Sequence, residues 1–374
     1  MSIMARTDTS LVSQWWWTVD RWMLASLAAI AAIGAVLILA ASPAVAERIG
    51  YDSFYFVHRQ FIFLALAFVL VFGVSLLSTR DIRRLAIVCY GAAIALMALT
   101  LYIGVESNGA ARWIRLGVFS LQPSEFAKPG FVVLAAWMFT ERRLDERFPG
   151  YAVATVLFAL LTSLLLLQPD VGMAIVVSAV WGVQFFLAGL PLVLVMAIAL
   201  VFLGGAVGAY FAFDHVQTRI DRFLDPSGGE GYQVTRALEA FHEGGLVGRG
   251  PGEGQVKLVL PDAHADFILA VAGEEFGLIA SLIIVALFAF VVLRGFVRVL
   301  KNDDLFILLA VAGLMAQFGF QAIINMASTI NLIPPKGMTL PLISYGGSSA
   351  LATAISMGMA LALTRDRPGQ VGTR

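Results

Sequence analysis

The residues in this chain best suited to chemistry stand in five polar clusters, set between long apolar runs. The fourth in chain order reads Leu260-Pro261-Asp262-Ala263-His264-Ala265-Asp266-Phe267-Ile268 and closes with Glu274-Glu275-Phe276-Gly277. An apolar run follows Asp266 directly, which places it at or just below a membrane interface. An ionisable group there is costly unless it is paired or used. Such a carboxylate is a candidate general base, able to take a proton from a substrate hydroxyl. The plainer alternative is that Asp266 caps the next helix, because aspartate is a favoured N-cap. Helical spacing puts Asp266, Ala270 and Glu274 on one face.

The other four clusters supply cations and unusual backbone. The first holds Arg112, Trp113 and Arg115, then Gln122-Pro123-Ser124-Glu125-Phe126-Ala127-Lys128. Arg112 suits a phosphate gripped bidentately, and Glu125 and Lys128 are three apart on one helical face. The alternative makes Trp113 an interfacial anchor and gives the arginines to lipid headgroups. The second cluster is Gln168-Pro169-Asp170, a tight turn that carries an acid. The third is a glycine-rich stretch with Arg219, Arg222, Tyr232, Gln233 and Lys257, in which residues 233–243 suit a short amphipathic helix at the interface. The fifth, Asn331 to Ser349, carries Pro334-Pro335-Lys336-Gly337, Pro341, Ser344 and Gly346-Gly347-Ser348-Ser349. Broken backbone of this kind is tolerated at membrane depth only when buried in protein or lining a wet cavity, so a re-entrant loop is expected, with Lys336 facing the cavity.

Composition dictates what must position these groups. Hydrophobic residues make up 59% of the 374 residues and charged residues 13%, against roughly 45–50% and 25% in a soluble domain. The surplus apolar surface needs lipid as its solvent. Net charge is zero, so no nucleic-acid partner is implied. The single cysteine, Cys89, and four scattered histidines offer neither a disulfide framework nor a metal cluster. Walker A, HExxH, GxSxG and CxxC motifs are absent.

The expected fold is an all-α integral membrane protein of about ten transmembrane helices. The spans are Trp22–Ala41, Phe61–Leu77, Leu85–Ile103, Phe126–Thr140, Tyr151–Leu167, Val171–Leu187, Leu192–Phe213, Phe276–Val297, Leu305–Ser328 and Ser348–Thr364. A long extracytoplasmic loop, 214–265, separates spans 7 and 8, and the re-entrant loop precedes span 10. Residues 1–21 and 365–374 form the tails of one membrane domain, 22–364. Ser42-Pro43-Ala44-Val45-Ala46 resembles a signal-peptidase site, but the apolar run before it is near 20 residues, long enough to span, and reads as an uncleaved first helix. Pro129 falls in the first turn of the fourth span, where proline is tolerated. Fourteen Lys and Arg lie on the side of the termini and six in the short segments opposite. That bias puts both termini in the cytoplasm and the polar clusters outside.

In this order, and over Trp22 to Thr364, the five clusters resemble the SEDS family (shape, elongation, division and sporulation). The most specific segments are Gly231-Tyr232-Gln233, Leu260 to Glu275 and Pro334 to Ser349. Lys336-Gly337-Met338-Thr339-Leu340-Pro341 and the Trp-rich start, Trp15 to Trp22, are nearer to division-type members, of an alphaproteobacterial kind, than to elongation-type members. The resemblance implies a peptidoglycan glycosyltransferase that polymerises lipid II, undecaprenyl-diphosphate disaccharide-pentapeptide, at the outer face of the cytoplasmic (inner) membrane during septal wall synthesis. It implies a class B penicillin-binding protein, a transpeptidase, and divisome regulators as partners. It matches Asp266 to the family's essential acid. Arg112, Trp113, Gln122, Ser124, Glu125, Lys128 and Lys336 match its cavity positions. Gln233, Lys257, His264, Ser344 and Ser348 complete the candidate substrate-binding set.

The chain departs from the family pattern at Ala111, Val259, Ala265 and Pro129. The implied chemistry is an inverting displacement, with Asp266 as base and Arg112, Lys128 and Lys336 holding the departing diphosphate. Sharing of that work by a divalent cation, Mg or Mn, is left open. The alternatives are a lipid II flippase, an elongation-type polymerase, or a scaffold that recruits the cross-linking enzyme. Ionisable residues gathered on one side of the membrane favour an enzyme over a flippase.

Overall fold

The computed structural model describes residues 10–366, apart from 108, 109, 118, 301 and most of 191–230. Among the described residues the helices are α1 (Leu11–Thr18), α2 (Arg21–Arg48), α3 (Tyr55–Ser75), α4 (Thr79–Ile103), α5 (Pro123–Leu144), α6 (Gly150–Leu167), α7 (Val171–Leu187), α8 (Gly231–Gly244), α9 (Ile268–Val299), α10 (Leu305–Thr329) and α11 (Gly347–Leu363). Six of them, α2, α3, α4, α6, α9 and α10, are long and apolar enough to cross a membrane, and α7 and α11 are shorter apolar helices. The chain is therefore an all-helical multi-pass membrane protein. The expected seventh span and the start of the long loop lie outside the described residues.

One small sheet qualifies the all-α expectation. Strands β1 (Val105–Ser107), β2 (Ala110–Leu116) and β3 (Phe119–Leu121) pair antiparallel in that order. The register sets Val105 opposite Trp113 and Ile114 opposite Leu121. This hairpin structure carries Arg112 and Trp113 and delivers the chain to Gln122.

Helix starts follow their caps. Asp20 accepts from Trp22 N and Met23 N, Ser78 from Asp81 N, Asp170 from Met173 N, and Asp304 from Phe306 N and Ile307 N. Each side chain satisfies backbone donors that the first helical turn leaves without partners. The expected cleavage-like segment, residues 42–46, is helical and continues α2 to Arg48, with Ser42, Val45 and Ala46 buried. Helix α5 starts three residues before its apolar stretch. Pro129 therefore falls in the second turn rather than the first, and it cannot donate to the Glu125 carbonyl.

Helices α5 and α10 form the centre. Phe131, Ala135 and Phe139 of α5 and Leu309, Leu314 and Met315 of α10 are fully enclosed. The α4–α5 contact is close because residue 130 is glycine: a Cβ there would stand 2.8 Å from Tyr90 N.

Two features depart from regular helices, and both serve the site. Residues 331–346 are non-helical yet buried at Leu340, Leu342, Ile343 and Ser344. A Cβ on Gly34 would stand 2.5 Å from the Leu342 carbonyl oxygen, so this segment lies against the middle of α2, roughly 20 Å along the helix from Arg48. The second feature is a break in α9 at Gly277 (φ 78°, ψ −175°). Leu278 N and Ile279 N donate to Gly245 O and Leu246 O instead of to their own helix. The carbonyls of Glu274 and Glu275 in turn accept from Arg249 N and Gly250 N. The glycine-rich loop thus satisfies all four groups that the break exposes, as a buried backbone requires. A side chain at Gly248 (φ 85°) would collide with the Glu275 carbonyl, its Cβ 2.2 Å from that oxygen.

Candidate functional site

Asp266 sits one residue before Phe267, the N-cap of α9, and makes no capping bond, so the capping alternative is set aside. It is held through its backbone. Three successive carbonyls accept from the broken segment and from α10. Tyr345 N donates to His264 O (2.9 Å), Ser344 Oγ to Ala265 O (2.6 Å), and Asn325 Nδ2 to Asp266 O (2.9 Å). Asn325 Nδ2 also donates to Met338 O (2.6 Å), and Ser344 Oγ accepts from Leu340 N (2.8 Å). Gln60 Nε2 of α3 fixes Ser344 O from the other side (3.1 Å). The fourth and fifth clusters are thereby one structural unit.

The half-buried Asp266 carboxylate faces Gly337, whose Cβ position would be 3.5 Å from Oδ2. Burial raises its pKa to about 7, helped by the nearby Asp262 carboxylate. A carboxyl poised near neutrality is suited to accept a proton at physiological pH. His264 points to another role. Its ring packs on Phe56 (4.5 Å) and Tyr345 (5.3 Å), and burial together with Arg48 lowers its pKa to about 4. It is a neutral imidazole, so it offers hydrogen bonds rather than positive charge.

Lys336 is adjacent to Gly337, and its side chain lies over the start of α7, where a Cβ on Gly172 would stand 3.5 Å from both Lys336 Cβ and Cδ. Two residues away, Asp170 receives Arg112: Arg112 NH1 is 3.8 Å from Asp170 Oδ1, Nε donates to Gln168 O (3.0 Å), and NH2 donates to Pro169 O. The first two clusters are therefore also joined, with Arg112 clasping the 168–170 turn. The line Asp266, Lys336, Asp170, Arg112 crosses this end of the molecule. Trp113 is half-buried beside Arg112 on β2.

Lys128 is almost fully enclosed. Its Nζ lies 2.9 Å from Glu125 Oε2 and donates to Gln321 Oε1 (2.9 Å). Gln321 Nε2 continues to Thr339 O and Ser349 Oγ, each at 3.2 Å. Ser348 Oγ accepts from Gln122 N (3.0 Å) and donates to Ser120 O (3.2 Å). These polar groups tie α5, α10 and α11 to the broken segment. Ser124 is buried, and its Oγ lacks a partner among the described residues, as do Gln60 Oε1, His264 Nδ1 and Asn325 Oδ1.

Lys257, another candidate substrate ligand, already has partners within the chain. It is buried, and its Nζ is paired with Glu275 and bonded to Gly252 O (3.2 Å). Glu274, fully enclosed, accepts from Gln255 N (2.6 Å), Val256 N (2.8 Å) and Lys257 N (3.2 Å). These acids anchor the loop. Helix α8 forms where an amphipathic helix is expected, burying Val234, Ala237 and Ala240, with Gln233 half-buried. Among the described residues no group of three or more His, Cys, Asp or Glu stands close enough to hold a metal ion; Asp262 is the acid coupled to Asp266.

Sequence reasoning missed Gln321 and Asn325. The available signal was a stripe: Gln317, Gln321 and Asn325 repeat every four residues in the apolar α10, which places them on one face. Asn325→Leu removes the donor that Asp266 O and Met338 O share. The expected result is about a tenfold fall in turnover, the loss of one or two hydrogen bonds, with substrate KM little changed; steady-state kinetics of the purified variant check this.

The sequence profile of the FtsW/RodA/SpoVE family, described as "Cell cycle protein", matches residues 20–368. A relative from Caulobacter vibrioides, "Probable peptidoglycan glycosyltransferase FtsW", is 48% identical over 98% of this chain and 95% of its own. Its namesake in Geobacter metallireducens is 34% identical over 91% of this chain and 93% of its own. Among solved structures, a chain described under "Structural coordination of polymerization and crosslinking by a peptidoglycan synthase complex" superposes with TM-score 0.77 at 31% identity, covering 92% of this chain and 97% of that one. The rod shape determining protein RodA of Thermus thermophilus gives TM-score 0.68 at 31% identity over 94% and 99%. With its broken α9 and the buried segment pinning Asp266, this chain belongs to the FtsW/RodA/SpoVE family, the SEDS proteins.

Proposed function

We propose that this chain is a peptidoglycan glycosyltransferase that polymerises lipid II into β-1,4 glycan strands. It acts in septal wall synthesis at the outer face of the bacterial cytoplasmic membrane, and it works with a class B penicillin-binding transpeptidase and divisome regulators. The identity to FtsW relatives supports the activity, and the likeness to a synthase-complex chain supports the partner. Six long and two shorter apolar helices support a multi-pass arrangement; our reading of about ten crossings with both termini cytoplasmic adds α5 and a span at 192–213, which lies mostly outside the described residues. Residues 331–346, packed against the middle of α2, act as the re-entrant loop.

The observation that carries the mechanism is the Asp266 carboxylate, pinned by three backbone bonds, facing Gly337 beside Lys336. The acceptor's sugar hydroxyl loses its proton to Asp266 as its oxygen attacks the donor's anomeric carbon. The bond to undecaprenyl diphosphate breaks on the opposite face, so the α linkage becomes β. Lys336 stabilises the departing diphosphate as preorganised positive charge. Arg112 shapes that side of the site through the 168–170 turn, and Lys128, paired with Glu125, orders the broken segment by way of Gln321.

The test is lipid II polymerisation by the purified chain in detergent, with and without its transpeptidase partner. Glycan polymer in detergent is expected, because no transport is needed there. Lipid II translocation in vesicles with no polymer under any condition would instead support the flippase reading.

A further inference from the structure

At the end of the bundle opposite Asp266, a cleft of about 650 Å³ opens among Trp16, Trp17, Arg21, Trp22, Arg294 and Arg298. Its floor is Asp20, fully enclosed, which receives Arg294 Nε (2.8 Å) and NH2 (3.3 Å) and Arg298 Nε (2.9 Å). Arg298 NH1 also meets Asp366 Oδ2 at 3.0 Å. Three guanidiniums thus face two carboxylates, and one positive charge is left over. Arg21 pairs with no carboxylate among the described residues; it lies over the Trp16 and Trp17 rings at 5.9 and 5.1 Å. Arg294 NH1 and Arg298 NH2 are not used by the bonds to Asp20 and Asp366, and each is a donor available to a ligand.

The aromatic groups say what kind of ligand. Trp17 is 38% and Trp22 66% exposed, and both line the cleft. At the start of an apolar span, exposed indoles belong at headgroup level. Basic pockets between transmembrane helices on the cytoplasmic side suit anionic headgroups, and the Lys and Arg bias assigns this end to the cytoplasm.

We propose that this cleft binds the headgroup of one anionic phospholipid. Its phosphate meets Arg21, Arg294 and Arg298, and its glycerol and upper acyl chains lie on Trp17 and Trp22. The bound lipid ties the α1–α2 turn to the end of α9 and to the segment after α11, which already docks there through Asp366 N to Thr18 O (3.1 Å) and Arg365 Nε to Thr18 Oγ1 (3.1 Å). This inference is independent of the reaction at Asp266.

Native mass spectrometry of the purified full chain tests it, with phosphatidylglycerol, phosphatidylethanolamine or inorganic phosphate added separately. The expected result is one retained phosphatidylglycerol in preference to phosphatidylethanolamine, with no comparable retention of phosphate. Arg21→Glu should lower that retention roughly tenfold or more, because one charge near the headgroup is reversed. Arg84→Gln, which removes an exposed cation on the same side but outside the cleft, should leave it unchanged. The melting temperature of the unaltered chain should rise with phosphatidylglycerol alone, which keeps the test valid if Arg21→Glu does not fold. Equal retention of both lipids, wild-type retention by folded Arg21→Glu, or occupancy and stabilisation by inorganic phosphate alone would each overturn the proposal.

Discussion

Asp266→Asn is expected to slow glycan polymerisation by about 10²–10⁴-fold, the range over which a general base contributes. The substitution keeps the side-chain shape and removes the negative charge together with the ability to take a proton. The three bonds that hold this stretch engage the carbonyls of His264, Ala265 and Asp266, so they survive it. Lipid II binding and the fold should therefore persist, and the loss should appear in kcat. The same variant has a stability signature of opposite sign. With a folded-state pKa raised from 3.8 to about 7, the native protein holds a proton that the unfolded chain has already released, so stability falls as pH rises through that window. Asparagine removes this loss. The variant should melt above the unaltered chain at pH 8, and the difference should shrink as pH is lowered towards 4. A variant that loses activity and melts lower at every pH would point to misfolding rather than to a missing base.

The largest expected effect on stability is at Glu274. Its enclosed carboxylate accepts from Gln255 N, Val256 N and Lys257 N, and its backbone oxygen accepts from Arg249 N. Glu274→Ala leaves three loop amides without their acceptor. Each such loss at a charged group costs roughly 1.5–3 kcal/mol, so a total of about 3–5 kcal/mol is expected after partial relaxation. Because Gly248 and Gly250 cross the break at Gly277 beside this residue, the loop should detach as a unit. Hydrogen exchange is the sensitive measurement. Amides of 245–258 and of Leu278 and Ile279 should lose protection together, while α5 and α10 keep theirs. Unchanged protection at 255–257 would show that Glu274 does not anchor the loop.

The sequence made the membrane class legible through its apolar surplus, and it named the five clusters that the structure joins, apart from the Gln321 and Asn325 stripe. The relations between clusters were not legible. Arg112 meets the 168–170 turn through two hydrogen bonds and an ion pair, and Ser344 and Tyr345 meet residues 264–265 through one hydrogen bond each; all of them cross long stretches of chain. No periodicity encodes such contacts. The break at Gly277 was hidden for a different reason: the residues on either side are good helix formers, and its satisfaction depends on carbonyls supplied by Gly245 and Leu246. Spacing could not reveal that Glu275 pairs with Lys257. Residues 105–121 are too short for strand alternation to stand out, so the small sheet escaped notice. Gln321 and Asn325 were readable in principle as a polar stripe on an apolar helix.

The pH dependence of lipid II polymerisation by the purified chain tests the central claim most directly, because the claim joins one carboxylate, its burial and its chemistry. The account predicts that activity rises with pH along a single acid limb centred near 7, and that Asp262→Asn moves this limb to lower pH by removing the neighbouring charge. A profile flat from pH 5 to 8, or one whose limb persists unchanged in residual Asp266→Asn activity, would contradict it.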